Sequence, residues 1–388
     1  MKPLRIGMLA VTQYESDPRV RRQAEALVAR GDEVTVLALH AEGRPDTEVV
    51  DGVRVVHMPT RKYRGDSAKA YVSLYGGFTA RAFGRMTRHP RSFDLVQAHS
   101  MPEALVFAAA APRVARVPVL LDVHDLTTKL FASKFADRSA IMAGVRLSER
   151  TSLKFASEVL TVHDHYAAMI RQWTRRPVSV VMNCPDDKLF GPPRWRGWAP
   201  DGEVVFGYHG LIAPRHGLQH AVAALADVRT ELPGARLWLR GSGDGLDAIR
   251  TQVSGLGLDE AVDLPTRLLS VPEIAAELAG VHIGLVPSQR DPWTDEVLPT
   301  KLLEYASLGI PVISFRNPVI EHYFPDDAVS YVDPASPANL RTAMLDLARN
   351  PEKAQAQAAR ATQIMAGLGW PAQRQAYFTV IDRMTGRG

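Results

Sequence analysis

Cysteine is almost absent from this sequence. Cys184 stands alone among 388 residues, which excludes an internal disulfide framework and any multi-cysteine metal site. That economy suits a reducing compartment. No run of eighteen apolar residues occurs, and the N-terminus passes from MKPLR straight into the strand-like IGMLAV, without the apolar core and cleavage site of a signal peptide. The expectation is a soluble, cytoplasmic protein. Three catalytic signatures are missing as well. There is no GxSxG elbow, so acyl transfer has no obvious nucleophile. The turn Gly241-Ser242-Gly243 lacks a Walker lysine and has Leu at position 246, where a dinucleotide fingerprint needs glycine. It reads as a tight strand-to-helix turn. No DxD occurs either.

What remains is globular in composition, 46% hydrophobic and 23% charged, and long enough for two domains. The net charge of +4 is local: Thr60 to Arg91 holds eight Lys and Arg against one Asp. Within it Arg81, Arg85 and Arg88 form a helical stripe, with Tyr71, Tyr75, Phe78 and Met86 on another face. Three readings compete for the stripe: a solvated surface, a site for an acidic acceptor, or a peripheral contact with the inner face of a membrane. Nucleic acid is not expected, because no recognition motif accompanies the charge.

Candidate strands alternate with helical stretches: LRIGMLAV, EVTVLAL, VRVVHM, DLVQAH, VPVLLDVH, EVLTVH and VSVVMN. Alternation of this kind predicts an α/β unit with a parallel sheet. CPDDKLFGPPRWRGWAPDGE then breaks the pattern, being rich in Pro, Gly and Trp without a period, and reads as a linker. Beyond it EVVFGYHG, ARLWLRG, AVDLP, VHIGLVPS, IPVISF and AVSYV begin a second unit. The expected architecture is two doubly wound, Rossmann-like domains facing a cleft: 1–186, a linker at 187–203, and 204–369. Ligands in such sheets bind beyond the carboxyl ends of the strands.

At those ends the first unit offers Asp17 and Arg19, His99, His124 with Asp125, and His163 with Asp164. A histidine there is commonly just a hydrogen-bonded loop residue; His124 carries more weight because its HD pair follows the most continuously apolar strand. No metal is expected, since His99, His124 and His163 lie far apart rather than at the spacing of a local chelate. The second unit offers His209 and Gly210, Arg215 to Gly217, the Gly241 turn, Ser288, and the stretch DEVLPTKLLEYASLGIPVISF.

That last stretch predicts a helix from about Pro299 to Leu308, closed by Gly309, then a buried strand from Ile310 to Phe315. Lys301 and Glu304 share a helical face and Glu296 precedes the helix. Two readings stand at this point. Glu296 caps the helix and Lys301 pairs with Glu304 in solvent, worth a few tenths of a kcal/mol; or the free N–H groups of the helix start, with Lys301, hold a phosphate between two carboxylates that grip hydroxyls.

With these residues the chain resembles glycosyltransferase family 4, whose enzymes have the GT-B architecture, over almost its whole length. Glu296 and Glu304 match the family's E-x7-E spacing in the subgroup form P-x-K-x-x-E-Y. SDPRVRRQAEALVARGDEVTVLA, the HD pair, VVMNCPD, YHGLIAPRHGLQHAVAAL and the late GLGW support it. The resemblance implies a retaining hexosyltransferase that moves sugar from a nucleotide diphosphate sugar to an acceptor, without a bound cofactor or metal. Glu304 would hold the ribose, Glu296 the transferred sugar, and Lys301, Thr300 and Arg215 the diphosphate. His124 would donate a hydrogen bond at the reacting centre, with Asp17, Arg19, His99 and Asp125 on the acceptor side. The first domain would bind the acceptor, whether a lipid-linked glycan, a polysaccharide precursor or a natural-product aglycone, and a helix at about 370–388 would return to it. The family's usual loop arginine and lysine align with Leu211 and His216, making Arg215 a neighbour of the usual position, and Pro299 replaces a glycine. The turn Pro265 to Leu268 is the candidate nucleobase contact. The alternatives are a nucleotide-sugar epimerase or hydrolase on the same fold, which needs no acceptor, and a non-catalytic sugar-nucleotide binding module.

Overall fold

The computed structural model describes residues 2–60, 63, 68–129, 139–199, 202–265, 267 and 269–387. Arg61, Lys62 and 64–67 of the basic stretch lie outside the described residues, as do Thr266 and Leu268 of the candidate nucleobase turn. The chain divides into two units, one of residues 1–183 with 373–388, the other of 184–372.

The first unit is built on an eight-stranded sheet: β1 (Arg5–Leu9), β2 (Glu33–Leu39), β3 (Thr47–Val50), β4 (Val53–Met58), β5 (Leu95–His99), β6 (Val119–Val123), β7 (Glu158–Thr161) and β8 (Val178–Val180). Their order is 3-4-2-1-5-6-7-8. β5 and β6 are buried along their whole length, as expected of strands covered on both faces. Numbering runs outward in both directions from β1 and β5, so right-handed crossovers place the helices of the two halves on opposite faces. All pairs are parallel except β3 with β4, which form an antiparallel hairpin at the edge. Asp51 and Gly52, both at positive φ, make its two-residue turn. The helix Ala68–Arg88 buries Phe78, Ala82 and Met86 and leaves Arg81, Arg85 and Arg88 exposed.

The end of the chain completes this unit. Tyr377, fully buried on the helix Trp370–Thr385, donates to Gln97 Oε1 at 2.6 Å, Gln373 accepts from the Met182 amide at 2.8 Å, and Asp382 and Arg387 pair with Arg30 and Asp32. Removing the phenolic hydroxyl would leave the Gln97 oxygen short of a donor in a dry site. Tyr377→Phe is therefore expected to cost about 1–3 kcal/mol of stability, read from urea unfolding.

In the second unit, β9 (Val204–Leu211), β10 (Ala235–Ser242), β11 (Val262–Asp263), β12 (Ile283–Val286), β13 (Val312–Phe315) and β14 (Ser330–Val332) form an all-parallel sheet of order 11-10-9-12-13-14. The Pro- and Trp-rich stretch is not a free connection. Leu189 and Phe190 join the second unit's core, and the indoles of Trp195 and Trp198 donate to the His282 and Ala348 carbonyls at 2.8 and 3.0 Å. Its apolar side chains explain why it adheres despite lacking a period.

Mid-strand glycine sets the position of one helix in this unit. A Cβ on Gly284 of β12 would meet the Tyr305 ring at 2.6 Å, and the Tyr305 hydroxyl donates to the Gly207 carbonyl of β9 at 2.9 Å. Tyr305 thus locks the helix Thr300–Leu308 against the two central strands. Among the described residues no helix is long and apolar enough to cross a membrane.

Candidate active site

Two groups of side chains gather at the carboxyl ends of the strands, one in each unit. In the first unit the centre is Asp122, a carboxylate inside β6 with no exposure at all. Arg19 reaches it with Nε at 3.0 Å and Nη2 at 2.7 Å, and Gln23 donates at 2.9 Å. The remaining Arg19 nitrogen bonds the Val181 carbonyl and the Asn183 amide oxygen. Burial alone would raise the Asp122 carboxyl, but Arg19 and His124 outweigh it and hold the group well below the usual carboxylate range. His99 Nδ1 and His124 Nε2 each lie 3.3 Å from Asp122 Oδ2 and 3.3 Å from one another. Burial lowers the His99 imidazole despite that carboxylate, so His99 is neutral at pH 7.

The structure therefore brings Arg19, His99 and His124 together, and adds an aspartate that the list of strand-end residues leaves out. A signal for Asp122 does exist in the sequence: a charge within VLLDV, a strand otherwise apolar, needs a buried partner. Asp17 is occupied elsewhere, as the N-cap of the helix Pro18–Ala29, accepting from the Arg19 and Val20 amides. His163 caps the helix Asp164–Arg171 through Nδ1. His163 and His165 do have the spacing of a local chelate, but their rings stand 6.3 Å apart. His99, Asp122 and His124 offer three ligand atoms within 4.8 Å of one another. However, Asp122 Oδ2 already accepts from Arg19 and Gln23, and a guanidinium beside it opposes a second cation.

In the second unit the helix begins at Thr300 rather than at the proline. Pro299, with ψ of 123°, is the N-cap, and being proline it offers the helix start no side-chain cap bond. Glu296 ends a short 3-10 turn, Thr294–Glu296, just ahead of that start. The account of a solvated Lys301–Glu304 pair changes: Lys301 is half-buried, its Nζ donates to the Tyr208 hydroxyl at 2.9 Å, and it lies 4.1 Å from the centre of that ring. Burial pushes the Lys301 ammonium down to about 8 against the opposing pull of Glu304. Gly210, at the end of β9, leaves room beside it, since a Cβ there would come within 3.5 Å of Nζ.

Around this lysine the field is positive. His216 is pushed down to about 4 by burial and by Lys301 and Arg215, although Asp291 and Asp244 pull the other way. His209 is pushed down to about 3 by burial and Lys301. Its Nε2 lies 3.3 Å from Glu304 Oε2 without hydrogen-bond alignment, so the contact is between a neutral ring and a carboxylate. Arg215 stacks over the Trp293 ring at 5.4 Å. The glycines of the Gly241 turn are needed for packing: a Cβ on Gly241 would lie 1.8 Å from the Gly210 carbonyl oxygen, and one on Gly243 2.2 Å from that of Ile212. Ser288 is buried at the end of β12's turn.

The loop that presents Glu296 is held from beneath. Asp291 accepts from the Trp293 and Thr294 amides at 2.7 Å each, and Asn317 donates to the Thr294 and Val297 carbonyls at 2.8 and 3.1 Å. Neither Asp291 nor Asn317 stands out in the sequence, because a loop clamp has no periodic signature. Asn317→Ala strands two carbonyls and is expected to cost about 1–3 kcal/mol, measurable by urea unfolding.

A helix start whose N-cap is a proline, a half-buried cation and two nearby carboxylates have the chemistry that suits a phosphorylated, hydroxyl-rich ligand. Residues 16–186 match the family described as a glycosyl transferase 4-like domain, and residues 194–364 match glycosyl transferases group 1. The chain belongs to these glycosyltransferases. Among relatives of this glycosyltransferase, a D-inositol 3-phosphate glycosyltransferase from Kineococcus radiotolerans is 26% identical over 391 residues, covering 93% of this chain and 88% of the relative. The fold is shared with sucrose-phosphate synthase from Thermosynechococcus elongatus, at a TM-score of 0.78 and 17% identity, over 99% of this chain and 100% of that one. Anabaena HepE in complex with UDP-glucose superposes at 0.72 with 15% identity, over 98% and 100%. The architecture is GT-B, two parallel-sheet α/β domains, and the enzyme is a transferase.

Proposed function

We propose that this glycosyltransferase moves a hexose-type sugar from a nucleoside diphosphate sugar to an acceptor, with retention of anomeric configuration and without a metal or cofactor. The observation that carries the donor assignment is the start of the helix Thr300–Leu308, where the N-cap is a proline, beside the half-buried Lys301. As the glycosidic bond breaks, negative charge grows on the diphosphate; Lys301, Arg215 and the amides from Thr300 onward are the groups that stabilise it. Glu304 takes the ribose hydroxyls and Glu296, on its clamped loop, the hydroxyls of the sugar. The leaving phosphate accepts the proton of the attacking hydroxyl, so front-face attack needs no protein nucleophile. His124 is assigned the hydrogen bond on the acceptor side, with Asp122 and His99 behind it. The glycosyl transfer named for the D-inositol 3-phosphate relative supports the reaction class, and the UDP-glucose held by HepE supports this class of donor.

Thermal shift with UDP, GDP, dTDP and ADP and their hexose conjugates tests the assignment. One nucleotide is expected to raise the unfolding temperature of the wild type, and Glu304→Ala is expected to weaken it roughly 10- to 100-fold, the loss of a charge-assisted bond to a diol. No response to any of the four would remove the donor assignment. Turnover of the sugar nucleotide at full rate without acceptor would favour the epimerase or hydrolase instead.

A further inference from the structure

The amino ends of β6, β7 and β8 lie at the opposite edge of the first sheet from Asp122 and His124, and they carry a second concentration of charge. A cavity of about 610 Å³ is lined there by Lys154, Arg171, Gln172, Trp173, Thr174, Arg175 and Arg176. Its size falls within the range of small-molecule sites, about 300–1,000 Å³. No carboxylate lines it. Among the described residues none of its four cations forms an ion pair, although Arg5, Arg21, Arg30 and Arg44 of the same unit all do. The acid at this edge, Glu158, is buried and taken up by Ser179 and Arg383.

Helix ends explain part of the charge. Lys154 and Arg171 stand in the last turns of Ser139–Phe155 and Asp164–Arg171, where the dipole favours cations. They do not explain Arg175 and Arg176, which lie in the loop before β8. That loop is fixed: the buried Thr174 hydroxyl donates to the Leu153 carbonyl at 3.3 Å, Arg176 Nε to the Lys154 carbonyl at 3.1 Å, and Arg171 Nη2 to the Val178 carbonyl at 2.9 Å. Two guanidinium groups are thus oriented by neutral carbonyls, which set their direction without neutralising them. Arg150 stands 5.7 Å from the Trp173 ring, and Arg113, itself lowered by burial and by Arg176, adds to the same field. Four exposed cations without an acidic partner among the described residues, two of them oriented by carbonyls, around one concave surface suit recognition of a multiply charged oxyanion.

We propose that the cavity lined by Lys154, Arg171, Trp173, Arg175 and Arg176 binds a phosphate-bearing molecule at a site separate from the catalytic edge. The shared chemistry is a phosphate or diphosphate group, carried either by a soluble compound or by an anionic lipid headgroup.

The test pairs wild type with Lys154→Gln/Arg175→Gln, chosen because neither side chain forms a hydrogen bond or ion pair among the described residues, so the fold does not lean on them. Deuterium uptake of residues 171–178 is followed as sodium pyrophosphate is added. Saturable protection of that segment is expected, weakened roughly tenfold or more in the double variant and retained in Lys301→Met, which separates it from pyrophosphate bound at the donor site. Co-sedimentation with phosphatidylglycerol and phosphatidylcholine vesicles identifies the source: capture by the anionic vesicles alone, lost in the double variant, assigns a lipid headgroup, and pyrophosphate protection without capture assigns a soluble ligand. Protection and capture both absent, or both unchanged in the double variant, would overturn the proposal.

Discussion

Asp122→Asn is expected to destabilise the protein by about 3–5 kcal/mol, because it leaves the Arg19 guanidinium buried with no counter-charge. Urea unfolding of wild type and variant at pH 7 measures it. Arg19→Met should cost a similar amount, and the double variant far less than the two losses together, since each single change strands the other's partner. The pH dependence follows from the depressed Asp122 carboxyl. Its stabilisation is fully present above the unfolded value of about 3.9 and is lost as pH falls below that toward the folded value. The difference between wild type and Asp122→Asn should therefore be flat from neutrality to mildly acidic pH and shrink in stronger acid. A loss below about 1 kcal/mol would contradict the account of Arg19 as a buried guanidinium that depends on Asp122 for its counter-charge.

Lys301→Met is expected to lower turnover about 10²–10³-fold, the scale seen when a preorganised group facing developing charge is removed. The same change should stabilise the unliganded protein. Lys301 sits at about 8 when folded and near 10.4 when unfolded, so the unfolded chain binds the proton more tightly between those values. Stability from this group is therefore reduced below about pH 8 and recovers as pH rises through that window. Methionine removes the cost of the buried charge. Affinity for a diphosphate moves the opposite way in the wild type, falling as pH rises past about 8 and the ammonium is lost, whereas the variant should be flat. Equal turnover in the two proteins would take Lys301 out of the site.

Much of the fold is legible in the residues. Strands such as VPVLLDVH and VHIGLVPS are apolar on both faces, and that alone implies a covered parallel sheet. The β3–β4 hairpin is passed over by an alternating α/β reading even though Asp51-Gly52 carries its turn signal, because TEVV is short and only half-buried. The cluster Glu296, Lys301 and Glu304 is visible from spacing, but its environment is not. That Tyr208 receives Lys301, and that Gly284 admits Tyr305, depend on which strands become neighbours, and sequence order gives β12 beside β9 no special mark. Arg19 and Asp122 illustrate the same limit. Separated by 103 positions, they meet only because β1 and β6 flank β5.

In the proposed function the start of the helix Thr300–Leu308 and Lys301 hold the diphosphate of the donor. Calorimetric titration of the best-stabilising nucleoside diphosphate and of its parent nucleoside, into wild type and Lys301→Met, tests it most directly. The diphosphate is expected to bind the wild type at least roughly 100-fold more tightly than the nucleoside, and this advantage to fall about tenfold or more in the variant. Equal binding of nucleoside and diphosphate by the wild type, or an advantage untouched in Lys301→Met, would contradict it.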